Sequence, residues 1–136
     1  MTACDQDTIK LAYDFAKQLK PGSVIALRGN LGAGKTTFVK GIALGLGLKN
    51  ADDVKSPTFA LMHTYKTKPV LYHFDFYRLE SEKEIANIGF EEFVDNSRAI
   101  ICVEWPERGQ KLLPKSVIEV QLEVVGPQGR KIKIHF

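Results

Sequence analysis

Cysteine is scarce: Cys4 and Cys102 are the only two in 136 residues. Two cysteines without C-x-x-C spacing exclude a disulfide framework and a zinc or redox motif of that type. Cys102 lies inside the apolar run Ile100-Ile101-Cys102-Val103, which marks it as a core residue. No apolar stretch approaches the roughly 18 residues of a membrane span. Polar residues are spread throughout the first ten positions, which hold no signal-peptide core, so the expectation is a cytoplasmic chain with no membrane partner. No block of five or six like charges occurs, which argues against an autonomous nucleic-acid-binding arm. Internal repeats, low-complexity stretches and Gly/Ser linkers are also missing, and one domain over residues 1–136 is expected.

What is present is ordinary globular material, 44% hydrophobic and 26% charged. The net charge of +3 is unevenly spread. Residues 1–71 carry 10 basic and 5 acidic side chains, residues 72–95 carry 2 and 7, and residues 105–136 carry 6 and 3. The acidic middle reads either as a solvated helix face or as a docking surface for a basic partner.

Apolar spacing predicts a helix over residues 5–19, where Ile9, Ala12, Tyr13, Ala16 and Leu19 recur every three or four positions. Residues 23–28 form a short apolar strand of the buried parallel kind. A glycine-rich turn follows, then a helix over residues 36–46. Residues 59–66 and 70–76 read as an antiparallel hairpin joined by Thr67-Lys68-Pro69. Ser81 and Glu84 make a capping box that opens a short helix, with a further helical turn over residues 90–94. Residues 99–104 are another buried strand. Alternation around Gly126-Pro127-Gln128-Gly129 makes a terminal hairpin, each strand with one apolar and one wet face. The fold class is therefore α/β, with a mostly parallel central sheet, antiparallel additions and a C-terminal β-hairpin.

Gly29-Asn30-Leu31-Gly32-Ala33-Gly34-Lys35-Thr36 matches G-x-x-x-x-G-K-[ST] at every fixed position, between a predicted strand and a predicted helix. Glycines let the backbone turn its N–H groups toward a phosphate, and the helix N-terminus adds partial positive charge there. Candidate nucleotide contacts are thus Asn30, Leu31, Gly32, Ala33, Gly34, Lys35, Thr36 and Thr37. Lys35 is expected at the β- and γ-phosphates and the Thr36 hydroxyl at Mg²⁺.

Such a loop needs acidic partners for the metal and the attacking water. Two carboxylates close apolar runs, Asp75 after Val70-Leu71-Tyr72-His73-Phe74 and Glu104 after Ile100-Ile101-Cys102-Val103. Ligands of open α/β sheets bind beyond the carboxyl ends of the parallel strands, where both would project; the alternative for each is a surface carboxylate that merely closes a strand. Ser56-Pro57-Thr58-Phe59 either senses the γ-phosphate or is a plain turn before a strand. Trp105 is either a packing anchor or a nucleotide contact. His63, His73 and His135 lack metal-ligand spacing, and His63 and His135 read as solvent-facing strand residues. With no N/T-K-x-D guanine reader, ATP is favoured over GTP, and no stretch is left for a kinase lid or substrate domain.

GNLGAGKTTF, SPTF, HFDFYRL and VEWPER occur in this order over nearly the whole chain, and the combination resembles the TsaE family. The resemblance implies a P-loop ATPase of bacterial tRNA threonylcarbamoyladenosine synthesis. In that picture, ATP binding and hydrolysis with Mg²⁺ support a TsaB–TsaD pair. The pair transfers threonylcarbamoyl to the adenosine 3′ of the anticodon in tRNAs reading codons that begin with A. The chain's own hydrolysis would be weak until it docks, and tRNA would be met only through the complex. By carry-over, Lys35, Asp75 and Glu104 are catalytic, Thr36, Asp75 and Glu104 hold metal, and Thr58 belongs to a switch-like loop. Trp105, Asp5 and Arg130 lie where relatives approach the nucleotide. Alternatives from other classes are a small kinase acting on a metabolite or protein, and a nucleotide-binding switch without significant catalysis.

Overall fold

Residues 1–30, 32–55, 61–96 and 98–136 are described by a computed structural model. The chain runs α1 (Asp5–Ala16), β1 (Val24–Arg28), α2 (Lys35–Gly45), a 3-10 turn (Ala51–Asp53), β2 (Met62–Tyr65) and β3 (Leu71–Asp75). It continues through α3 (Glu82–Asn87), α4 (Phe90–Asn96), β4 (Ile100–Glu104), a 3-10 segment (Pro106–Leu112), β5 (Ile118–Val125) and β6 (Gly129–His135). Six strands form one sheet in the order β2-β3-β4-β1-β5-β6. The inner pairs β3–β4, β4–β1 and β1–β5 are parallel, while β2–β3 and β5–β6 are antiparallel. The sequence-based fold class holds, and both antiparallel additions lie at the sheet edges.

Helices cover both faces. On one, α1 and α2 pack over Ile25, Leu27, Leu71, Ile100, Cys102 and Val120. The helices approach closely because α2 presents glycine there: a Cβ on Gly41 would stand 2.4 Å from the Ile9 carbonyl oxygen. On the other face, Phe74, Phe76 and Phe90 are fully buried, with ring centroids 5.1 Å apart for Phe74–Phe90 and for Phe76–Phe90 in edge-on contact. Edge-on geometry sets the positive ring edge against a negative face.

Two expectations need correcting. The α1 helix stops at Ala16 rather than at residue 19, because Gln18 and Leu19 donate to the Phe15 and Ala16 carbonyls in tight turns ahead of Pro21-Gly22. Leu19 still packs on the core, so apolar spacing overran the helix without misplacing its buried face. His63 is half-buried with its ring 6.2 Å from that of Tyr65, not solvent-facing, because β2 lays this face over the sheet edge. His135 is exposed as expected. Ser81 accepts the Glu84 amide at 3.3 Å, as the capping pattern predicts. Among the described residues, no helix is long and apolar enough to cross a membrane.

Candidate functional site

β1 ends at Arg28 and the chain turns through the glycine-rich loop into α2. Gly34 is the helix N-cap at φ 99°, left-handed backbone that favours glycine. The Lys35 side chain is 5% exposed, and its Nζ donates to the Gly29 carbonyl at 2.7 Å. That same Nζ lies 3.6 Å from the Trp105 ring centroid. Burial pushes the Lys35 ammonium below its ordinary pKa, while the negative charges of Glu104, Glu107 and Asp75 act the other way. An incoming phosphate would restore the charge balance that burial disturbs.

Parallel register brings the two carboxylates together. Asp75 pairs with Glu104 at the carboxyl ends of β3 and β4, and both are buried. The Glu104 carboxylate accepts the Thr36 hydroxyl at 3.2 Å and is 2.5 Å from His73 Nε2. Asp75 Oδ1 accepts the Tyr77 amide at 2.8 Å. Thr36, Asp75 and Glu104 are all hard oxygen donors, a set suited to a Mg²⁺ that keeps several waters and takes phosphate oxygens. Among the described residues, no group of three or more His, Cys, Asp or Glu forms a protein-only metal cage.

Trp105 follows β4 in left-handed backbone (φ 56°, ψ 49°), which turns its ring back over the loop. Non-glycine residues in this region store strain and cluster at functional sites. Tyr77 packs on Trp105, centroids 4.9 Å apart. The chain ends meet at the loop's other flank. Thr2 and Arg130 exchange backbone hydrogen bonds of 2.8 Å, which fixes the start of α1 beside β6. Arg130 then spans to the loop, donating to the carbonyls of Ala33 (2.9 Å), Gly32 (3.1 Å) and its own neighbour Gly129 (2.8 Å).

These parts enclose a cleft of about 450 Å³ lined by Asp5, Gly32, Gly34, Lys35, Thr36, Thr37, Asp75, Tyr77, Glu104, Trp105 and Arg130. Of the residues expected from sequence, Asn30 and Ala33 lie instead along a neighbouring hollow beside β5. Leu31 and Thr58 fall outside the described residues. A larger hollow of about 650 Å³ lies at the amino-terminal ends of β3 and β4, between Pro69, Tyr72 and Phe93. Phosphates of α/β proteins bind at the opposite strand ends, so the smaller cleft is the functional candidate.

Sequence reasoning missed Tyr77 and His73 as parts of the site. The signal for both was in H-x-D-x-Y, since His73 and Asp75 share a strand face. Arg108 donates to the Leu79 carbonyl at 3.2 Å, with its guanidinium 6.0 Å from the Tyr77 ring. The 3-10 segment turns it toward that carbonyl.

The family model "Threonylcarbamoyl adenosine biosynthesis protein TsaE" matches residues 2–132. The chain belongs to the TsaE family. Proteins named tRNA threonylcarbamoyladenosine biosynthesis protein TsaE are among its relatives. That of Treponema pallidum (strain Nichols) is 40% identical, covering 95% of this chain and 93% of the relative. That of Aquifex aeolicus (strain VF5) is 42% identical, covering 96% and 90%. The crystal structure of Bacillus subtilis YdiB superposes with a TM-score of 0.79 at 32% identity, covering 96% of this chain and 79% of that one. This TsaE chain thus has a P-loop fold and belongs to a family of tRNA threonylcarbamoyladenosine biosynthesis.

Proposed function

We propose that this TsaE chain binds and hydrolyses ATP with Mg²⁺, and that hydrolysis drives repeated cycles of threonylcarbamoyl transfer by a TsaB–TsaD pair. The observation that carries the reading is the convergence of Lys35, Thr36, Asp75 and Glu104 on one cleft at the carboxyl ends of the parallel strands. Lys35 exchanges the Gly29 carbonyl for phosphate oxygens, and backbone N–H groups at the start of α2 hold the same anion. Thr36, Asp75 and Glu104 would hold the cation, which when bound neutralises charge on the β- and γ-phosphates. Glu104 also orients the water that attacks the γ-phosphorus, which releases inorganic phosphate and ADP. Trp105 and Tyr77 close one wall and exclude bulk water, while Asp5 and Arg130 border the other.

No arginine is held in the cleft opposite Lys35 among the described lining residues, apart from Arg130, which is spent on backbone carbonyls. Slow turnover alone and acceleration by a docked partner follow, because a group supplied in trans is worth about 10³-fold or more in phosphoryl transfer. The acidic face bearing Glu84, Glu91 and Glu92 is exposed and is the surface assigned to that partner. Transfer to tRNA falls to the partners.

The test is the phosphate-release rate of the purified chain, with and without the TsaB–TsaD pair. A large rise with the pair is expected. Labelled phosphate on an acceptor instead of free in solution would contradict the reading and favour a kinase.

A further inference from the structure

His73 is 0% exposed, and among the described residues only its Nε2 has a hydrogen-bond partner. Nε2 lies 2.5 Å from Glu104 Oε2, whereas Nδ1 is buried with no hydrogen-bond partner among the described residues. An unpaired buried polar atom costs stability, and an apolar side chain would fill the same space without that cost. Packing alone therefore does not account for an imidazole here. The Glu104 contact does. The register pairs His73 with Cys102 two residues before the Asp75–Glu104 pair and on the same strand face, so the ring reaches the carboxylate from the sheet side. Thr36 approaches the same carboxylate from the loop side.

We propose that His73 is a positioning residue for Glu104: its Nε2–H bond pins Oε2 and leaves the remaining lone pairs of the carboxylate turned toward Thr36 and the phosphate end of the cleft. A hydrogen on Nε2 fits this role, since the carboxylate oxygen opposite it can only accept. A carboxylate free to rotate would spend part of its time away from the geometry that hydrolysis needs. Hydrogen-bonded partners behind ligating or catalytic groups cost about 10- to 100-fold in metal affinity or activity when removed. The inference rests on the ATPase reading and deepens it.

Three full-length proteins test it: wild type, His73→Leu and His73→Gln, whose amide N–H can reach the position of Nε2. In the nucleotide-free wild type, imidazole ¹⁵N–¹H spectra should show a slowly exchanging Nε2–H for His73 that shifts in Glu104→Gln. With Mg·ATP, His73→Leu should lose about 10- to 100-fold in kcat, with ATP affinity within about threefold. His73→Gln should regain most of the loss. The proposal is overturned if His73→Leu turns over at the wild-type rate, if His73→Gln falls as far as His73→Leu, or if the Nε2–H signal ignores Glu104→Gln. Should His73→Leu fail to fold, His73→Gln and the spectrum still decide it. Wild-type protein that binds no Mg·ATP would instead remove the ATPase reading, and the positioning role with it.

Discussion

Replacing Gly41 by alanine should destabilise the protein even though alanine is the better helix former. In an open helix interior the change gains about 1 kcal/mol. Here the new Cβ would stand 2.4 Å from the Ile9 carbonyl oxygen and 2.5 Å from the Ala12 Cβ. Carbon atoms are comfortable at about 3.5–4.0 Å, so α1 would have to retreat by about 1 Å along its contact with α2. Overpacking of this kind costs about 1–3 kcal/mol. Because the clash is with backbone, which cannot rotate aside, the upper part of that range applies, and a net loss of about 1–2 kcal/mol remains. For a chain of this size that is about 4–8 °C in Tm. Gly45→Ala should behave alike, its Cβ lying 2.7 Å from both the Tyr13 carbonyl oxygen and the Ala16 Cβ. Urea titration followed by circular dichroism reads the difference directly. Unchanged or increased stability in Gly41→Ala would refute the close-packed α1–α2 contact.

Other expectations follow from single contacts. Glu104→Gln should cut phosphate release at least 10-fold while ATP still binds, since the amide keeps the shape and loses the charge; loss of both together would point to collapse of the loop. Arg130→Ala removes three donors from the Gly32, Ala33 and Gly129 carbonyls and should weaken ATP binding about 10-fold or more. Arg130→Lys should not rescue it, because an ammonium lacks the planar fork; equal affinity in both variants and wild type would show that the brace is dispensable. Burial pushes the Cys102 thiol far above its ordinary value, so at pH 8 it stays protonated and shielded. A thiol-reactive dye should then label only Cys4 in the native protein and both cysteines in denaturant. Labelling of Cys102 in the native state would contradict its place in the core.

Local chemistry was the readable part of this chain. The glycine-rich loop announces its own turn, and Asp75 and Glu104 announce themselves by closing apolar runs, because strand ends in parallel sheets are where side chains leave the core. The terminal hairpin was readable from period-two alternation, and the β2–β3 hairpin from its short Thr67-Lys68-Pro69 connection. The sheet order was not. Placing β1 between β4 and β5 depends on contacts far apart in sequence, which no local window contains. Arg130 illustrates the limit: the family resemblance placed it near the nucleotide, but its three carbonyl partners become visible only once Thr2 and β6 are joined. His73 is the sharper case. A histidine in an apolar strand is ambiguous between core filler and working group, and only the register of β3 against β4 brings its Nε2 to Glu104.

The most direct test of the account is calorimetric titration of Mg·ATP into the wild-type chain and into Lys35→Ala. The Lys35 ammonium is buried against the Gly29 carbonyl, at the place where phosphate oxygens are expected. Saturable binding of one nucleotide to the wild type, lost or weakened at least 100-fold in a Lys35→Ala protein that still folds, is the predicted result. Equal affinity of the two proteins, or no binding to the wild type, would contradict the claim that this cleft is a nucleotide site.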